Sequence, residues 1–177
     1  MTVPDRVPAS SGATDPVLDD VTFRAAFRRH PAGVAVITTV AGEEVVGFTA
    51  TSVISVSAAP PMLAFSVAAR SSSRPALDAA ATVVVNFLGA DQADVSARFA
   101  TSGIDRFRDT AWHRLPTGEP VLDGVGGWIR ARIEDRVPVG GSLLVVLTAL
   151  DGVVRPEASP LLYQDRGYHR VDPSTAV

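Results

Sequence analysis

Cysteine and lysine are both missing from this chain. Without cysteine there is no disulfide scaffold, no thiolate nucleophile, no Cys-ligated zinc and no all-cysteine iron–sulfur cluster. Without lysine there is no Schiff base, no Walker-type phosphate loop and no enzyme-held PLP. All 16 basic residues are arginine, so arginine must supply any side-chain charge that holds a phosphate. Positive charge is not in excess, with a net charge of −3 and a pI of about 5.5. A protein that binds nucleic acid through its phosphates is expected to be more basic, so no nucleic-acid partner is expected. No apolar run reaches the ~18–20 residues needed to span a bilayer. The first twenty residues carry Pro4, Asp5, Pro8, Asp15, Pro16, Asp19 and Asp20 with no apolar centre, unlike a secretion signal. The expectation is a soluble, cytoplasmic protein with no membrane association.

Familiar catalytic signatures are missing too. There is no G-x-G-x-x-G after a strand, no G-x-S-x-G, no H-E-x-x-H and no EF-hand loop. His30, His113 and His169 lie far apart in the chain, so no metal site is expected. Glu43-Glu44 and Glu134-Asp135 are neighbours, and neighbouring strand residues point to opposite faces. They read as solvated surface.

What is present suits one domain. The chain has 177 residues, of which 46% are hydrophobic and 20% charged, enough for a core. Residues 1–18 read as a disordered tail, 19–172 as the domain and 173–177 as a C-terminal tail. Asp19 and Asp20 can cap a helix bearing Phe23 and Phe27 on one face, ended by Pro31 and Gly33. Val, Ile and Thr then dominate 34–40 and 45–57, a hairpin turning at 41–43. Pro60-Pro61 breaks the sheet before a strand at 62–68. A polar loop at 69–74 leads to a short helix at 75–81 and a buried strand at 82–88. Asp91 is placed to cap a helix with Val95 and Phe99 on one face. Residues 101–127 look irregular. From Trp128, alternation puts Ile129, Ala131 and Ile133 on one face and Arg130, Arg132 and Glu134 on the other. Strands at 142–154 and 161–163 follow. Many strands and few short helices predict a mainly β, closed or nearly closed antiparallel barrel rather than a doubly wound sheet.

Two hydroxyl-rich segments stand out. Gly47-Phe48-Thr49-Ala50-Thr51-Ser52-Val53-Ile54-Ser55-Val56-Ser57 would let a flat ligand approach the backbone. Ser71-Ser72-Ser73-Arg74 opens a helix, where hydroxyls and an arginine can hold a phosphate. Each could instead be ordinary: a solvent-facing strand and a helix cap.

The chain resembles the flavin reductase-like family of the FMN-binding split barrel. The matching elements run in order: Pro31-Ala32-Gly33-Val34-Ala35-Val36-Ile37-Thr38, Gly47-Phe48-Thr49-Ala50-Thr51-Ser52, Ser55-Val56-Ser57, Pro60-Pro61, Ser71-Ser72-Ser73, Val85-Asn86-Phe87-Leu88, Arg98-Phe99-Ala100, Asp105-Arg106-Phe107, Gly118-Glu119-Pro120-Val121-Leu122-Asp123-Gly124 and Pro160-Leu161-Leu162-Tyr163. The resemblance implies an antiparallel six-stranded Greek-key split barrel with a few short helices, forming a homodimer. It implies FMN or FAD as cofactor and NADH or NADPH as hydride donor, with reduced flavin passed to a separate flavin-dependent monooxygenase. Thr49, Ala50, Thr51, Ser52 and Ser55 would line the ring and ribityl chain. Ser72, Ser73 and Arg74 would hold the phosphate, and Asn86 would border the pocket. Ala100 would sit at the ribityl or phosphate end, with Arg106 and Phe107 closing the rim. No protein nucleophile is needed, because the cofactors carry the chemistry.

The chain departs from the family in three places. The Gly-Asp-His motif that many members carry is Gly140-Gly141-Ser142 here, removing a ring and its charge from the nicotinamide side. Ala59 replaces a frequent Asp, and Gln164 a frequent His. This leaves open a flavin-binding protein of the same fold that does not turn over NAD(P)H. An oxidase of the pyridoxamine-phosphate type would want more basic residues around the phosphate than Arg74 alone.

Overall fold

The computed structural model describes residues 15–172 and 174. Most of the two expected tails, 1–14 and 173 with 175–177, lies outside the described residues. Helix α1 (Asp20–Arg29) starts on Asp19, whose carboxylate accepts the Thr22 N–H at 2.9 Å. The Phe23 and Phe27 rings meet on it at a tilt of 39° with centroids 4.7 Å apart, yet none of its residues is buried.

Strand β1 (Ala32–Gly33) precedes the hairpin of β2 (Ala35–Ala41) and β3 (Glu44–Ala50). Its turn passes through Gly42 at φ +63°. The expected strand at 45–57 proves to be two. It stops at Ala50 and resumes as β4 (Ile54–Ala58). Ser52 explains the break. Its hydroxyl accepts the Ser66 N–H at 3.0 Å and donates to the Ser66 carbonyl at 2.9 Å, taking both backbone groups a neighbouring strand would use. The prolines do not break the sheet here. Ala58 pairs with Pro61, so they stand at the hairpin joining β4 to β5 (Pro61–Ala68).

Helix α2 (Arg74–Ala79) leads to β6 (Thr82–Phe87) and α3 (Ala93–Ala100). Asp91 does not cap α3. Gln92 holds that position without a side-chain cap bond, and spends its amide on the Gly89 N–H and the Asp123 carbonyl. The segment expected to be irregular contains a small ladder, β7 (Trp112–Arg114) with β8 (Pro120–Leu122). The long strands β9 (Gly127–Val139) and β10 (Ser142–Val154) follow, then the hairpin β11 (Leu161–Gln164) and β12 (Gly167–Arg170).

The principal sheet is antiparallel throughout, in the order β3-β2-β6-β9-β10-β5-β4. It has seven strands rather than six because the 45–57 run was divided. Strand β3 comes back against β5, so the sheet nearly closes. Inside lie Ile37, Phe48, Phe65, Leu77, Val85, Val145 and Leu147. Ala131 is buried there, with Ile129 and Ile133 packed beside it, as the alternation predicts. A second core under α3 gathers Val36, Leu88, Phe99, Phe107, Leu122 and Leu161. Each such side chain, fully buried, contributes about 1.5–3 kcal/mol.

Candidate functional site

A groove of about 380 Å³ runs along the barrel wall where β3 and β5 approach each other. Thr49, Ser66, Ala68, Ser72, Ala100 and Arg106 line it. Strand alternation sets this up: Leu63, Phe65 and Val67 point into the core, which leaves Ser66 and Ala68 outward. A larger cavity of about 780 Å³ adjoins it through Ser66, lined by Thr51, Ser52, Phe23, Phe27 and Tyr163 among others.

One end of the groove is a cationic clamp that also borders another cavity of about 700 Å³, which Ser73 lines. Arg106 Nη1 donates to the Ser73 hydroxyl at 3.1 Å and to the Gly47 carbonyl at 2.8 Å. Its Nη2 lies 3.4 Å from the Ser72 hydroxyl, and its Nε donates to the Thr101 carbonyl at 2.8 Å. All four partners are neutral, and among the described residues no carboxylate lies within ion-pair distance of Arg106. Burial pulls its pKa below the ordinary arginine value, and the guanidinium remains charged. A half-buried cation with two serine hydroxyls and no counter-ion fits a phosphate.

Arg74 is not part of this clamp. Its Nε is 2.7 Å from the Asp78 carboxylate one helical turn away, so its charge is already matched. The arginine adjacent to the serines in sequence points along α2, and the one 33 residues away in sequence meets Ser73.

The other expected residues divide. Thr49 and Ala100 line the groove, while Ala50 belongs to the barrel core. The Thr49 hydroxyl donates to the Ser96 carbonyl at 2.7 Å, leaving its lone pairs for a further donor. Thr51 and Ser52 face the adjoining cavity, and Ser52 is also the link that holds β5. Ser55 is exposed on the edge strand β4. Asn86 does not border the groove. It is fully buried and donates to the Val36 carbonyl and the Thr38 hydroxyl, each at 3.0 Å. Its carbonyl accepts the Leu122 N–H at 3.0 Å, so it ties the sheet to β8. Phe107 is mostly a core residue, and its remaining surface lines a cavity beside Arg106, Ser72 and Ser73. It sits edge-on between Phe99 and Trp112, with centroids 5.0 and 5.3 Å away.

Ser142 opens β10 directly opposite Ala68, a groove residue. Opposed residues of an antiparallel pair share a face, so its side chain lies on the same face of the sheet as Ala68, next to the groove lining rather than in it. Ser66, at the junction of the two cavities, was not singled out from the sequence; the period-two pattern of β5 would have found it. Among the described residues no three metal-ligating side chains gather.

Comparison with known proteins settles the family. The flavin reductase like domain matches residues 27–172. The chain belongs to the flavin reductase-like family. An NADH:FMN oxidoreductase of Rhodococcus erythropolis is 46% identical over 156 residues, spanning 85% of this chain and 81% of the relative. The reductase subunit of a flavin-dependent monooxygenase from Mycobacterium tuberculosis is 32% identical over 161 residues, 88% of this chain and 84% of that one. The crystal structure of a flavin reductase domain protein from Arthrobacter sp. FB24 superposes with a TM-score of 0.83 at 38% identity, covering 88% of this chain and 97% of that one.

Proposed function

We propose that this chain is an NADH-dependent flavin reductase. It takes FMN in the groove between β3 and β5, with the phosphate on Ser72, Ser73 and Arg106. The single observation that carries the reading is the Arg106 guanidinium, drawn to two serine hydroxyls with no carboxylate to neutralise it. The Rhodococcus relative supports NADH and FMN as the working pair.

When bound, the flavin supplies the hydride acceptor. The chain supplies placement. Ser66 and Ala68 give a flat, small-residue wall that the ring can approach closely, and the Ser52 clamp keeps that wall in register. The adjoining cavity, with Phe23, Phe27 and Tyr163, offers the donor an apolar approach. No proton needs to be moved by a side chain for hydride to pass.

Two partners belong to the proposal. A second copy of the chain is supported by α1 and β4, where Val21, Phe27, Ile54 and Val56 are 72, 61, 56 and 53% exposed. A separate monooxygenase that accepts the reduced flavin is supported by the mycobacterial relative, itself a reductase subunit. Among the described residues no helix is long and apolar enough to cross a membrane.

Ser142 favours a second reading, a flavin-binding protein that does not turn over the donor, because the imidazole many relatives carry there is replaced by a hydroxyl. The test is direct. The purified protein is assayed for NADH and NADPH oxidation with FMN, FAD and riboflavin. Flavin-dependent NADH oxidation above background supports the reductase. Flavin binding without oxidation supports the second reading, and no flavin binding sinks both.

A further inference from the structure

The serines of the clamp belong to a segment with unusual anchorage. Residues 69–80 run from the end of β5 through Ser72 and Ser73 and along α2. At the near end, the Ala69 N–H donates to the Gly141 carbonyl at 2.9 Å, in the turn between β9 and β10. At the far end, Arg136 of β9 reaches across. Its Nε and Nη2 donate to the Leu77 carbonyl at 3.0 and 2.9 Å, and its Nη2 also reaches the Ala80 carbonyl. These are carbonyls at the C-terminal end of α2, which the helix cannot satisfy itself and which favour a cation. Within α2 the Leu77 N–H bonds back to the Ser73 carbonyl at 3.1 Å, one turn from the clamp.

We infer that Arg136 is a positioning residue for the flavin phosphate: it pins α2 to the β9–β10 hairpin, and α2 in turn holds Ser73 on Arg106. Arg136 touches none of the clamp atoms. It acts through the rigid turn between Leu77 and Ser73, a short packed path. The inference rests on the proposed seat of the phosphate at Arg106.

The experiment compares FMN with riboflavin, which lacks only the phosphate. Dissociation constants are measured by fluorescence for the wild-type protein, Arg136→Gln and Arg136→Lys, and for Arg106→Ala with and without Arg136→Gln. The wild type is expected to prefer FMN. Arg136→Gln is expected to weaken FMN about tenfold, the loss of one charge-assisted contact's worth of alignment, with riboflavin unchanged. Arg136→Lys, which can still serve one carbonyl, is expected to recover part of the preference. In the Arg106→Ala background, Arg136→Gln is expected to cost FMN little more, because the clamp it aligns is gone. Equal weakening of FMN and riboflavin would mean a merely structural role and overturn the inference, as would an FMN preference untouched by Arg136→Gln. A wild type that binds flavin without preferring FMN overturns the phosphate seat and this inference with it. Should Arg136→Gln not fold, the FMN preference of Arg136→Lys decides: unchanged from wild type, it overturns the inference.

Discussion

Arg130 Nε lies 2.8 Å from the Glu119 carboxylate, and the Glu119 side chain is only 2% exposed. The hydroxyls of Thr82 and Thr117 donate to the same carboxylate. Three elements meet there: β6, the β7–β8 turn and β9. Burial alone would raise the Glu119 pKa. The hydrogen bonds from Thr117, Thr82, its own backbone and Arg130 outweigh it and hold the carboxyl below its ordinary value of 4.5. A depressed folded pKa means that this group stabilises the fold above its unfolded pKa and stops doing so as pH falls through the depressed value. Urea melts should therefore show wild-type stability declining below about pH 4.5, with a smaller decline in Glu119→Gln. At pH 7 that substitution should cost about 3 kcal/mol, since it leaves the Arg130 charge half-buried without its partner. Equal acid slopes in the two proteins would refute the assignment.

The clamp makes a charge prediction. Ser72→Asp with Ser73→Asp would put two carboxylates against Arg106, satisfying its charge internally and repelling a phosphate. FMN retention should be lost, while riboflavin binding should fall much less. Arg106→Ala should weaken FMN about tenfold to a hundredfold, the range expected for one charged hydrogen-bonding partner. Titration by flavin fluorescence checks both, with near-ultraviolet circular dichroism confirming the fold. FMN affinity unchanged in a folded double mutant would remove the phosphate from this end of the groove.

Much of this site was legible because strands and serines carry local signals. Thr49 of the Thr- and Ser-rich run lines the groove with Ser71 and Ser72, and the alternation that buries Ala131 also packs Ile129 and Ile133 beside it. What failed was long-range or positional. Arg74 stands next to Ser73 in the sequence, but Asp78 one turn on claims its charge. Arg106 is reached only through the resemblance, which sets it at the rim; its irregular stretch has no period to read, and only folding brings it to Ser73. The resemblance sets Asn86 beside the pocket, yet Val36, Thr38 and Leu122 engage its amide inside the fold. The break after Ala50 was hidden because Ser52 makes it with a side-chain bond to Ser66, 14 residues away. Periodicity cannot report a contact of that kind.

Gly47 couples packing to the site. A Cβ there would stand 2.7 Å from Phe99 Cε1 and 3.2 Å from Thr38 Cγ2. Phe99 is fully buried against Phe107, so it has little room to give way. Gly47→Ala should cost about 1–3 kcal/mol as overpacking. Because the Gly47 carbonyl also accepts from Arg106, the shift should weaken FMN more than riboflavin. Thermal melts read the first effect and flavin titration the second; an unchanged melting temperature would show that Phe99 moves aside freely.

Ser142 carries a prediction about turnover. It pairs with the groove residue Ala68, following a two-residue turn whose Gly140 takes φ +55°. A histidine at this position would add an aromatic face and a titratable donor on the side where the nicotinamide is expected to approach. Because Ser142 is only half-buried and its neighbours Gly140 and Gly141 have open space where a side chain would stand, the larger ring should be accommodated without disturbing the barrel. Ser142→His should therefore raise NADH turnover severalfold with FMN affinity unchanged, since the phosphate clamp is untouched. Steady-state NADH oxidation at saturating FMN measures this. A folded Ser142→His protein with turnover equal to or below wild type would show that the hydroxyl suffices, and that the donor is oriented by the Phe23, Phe27 and Tyr163 cavity instead.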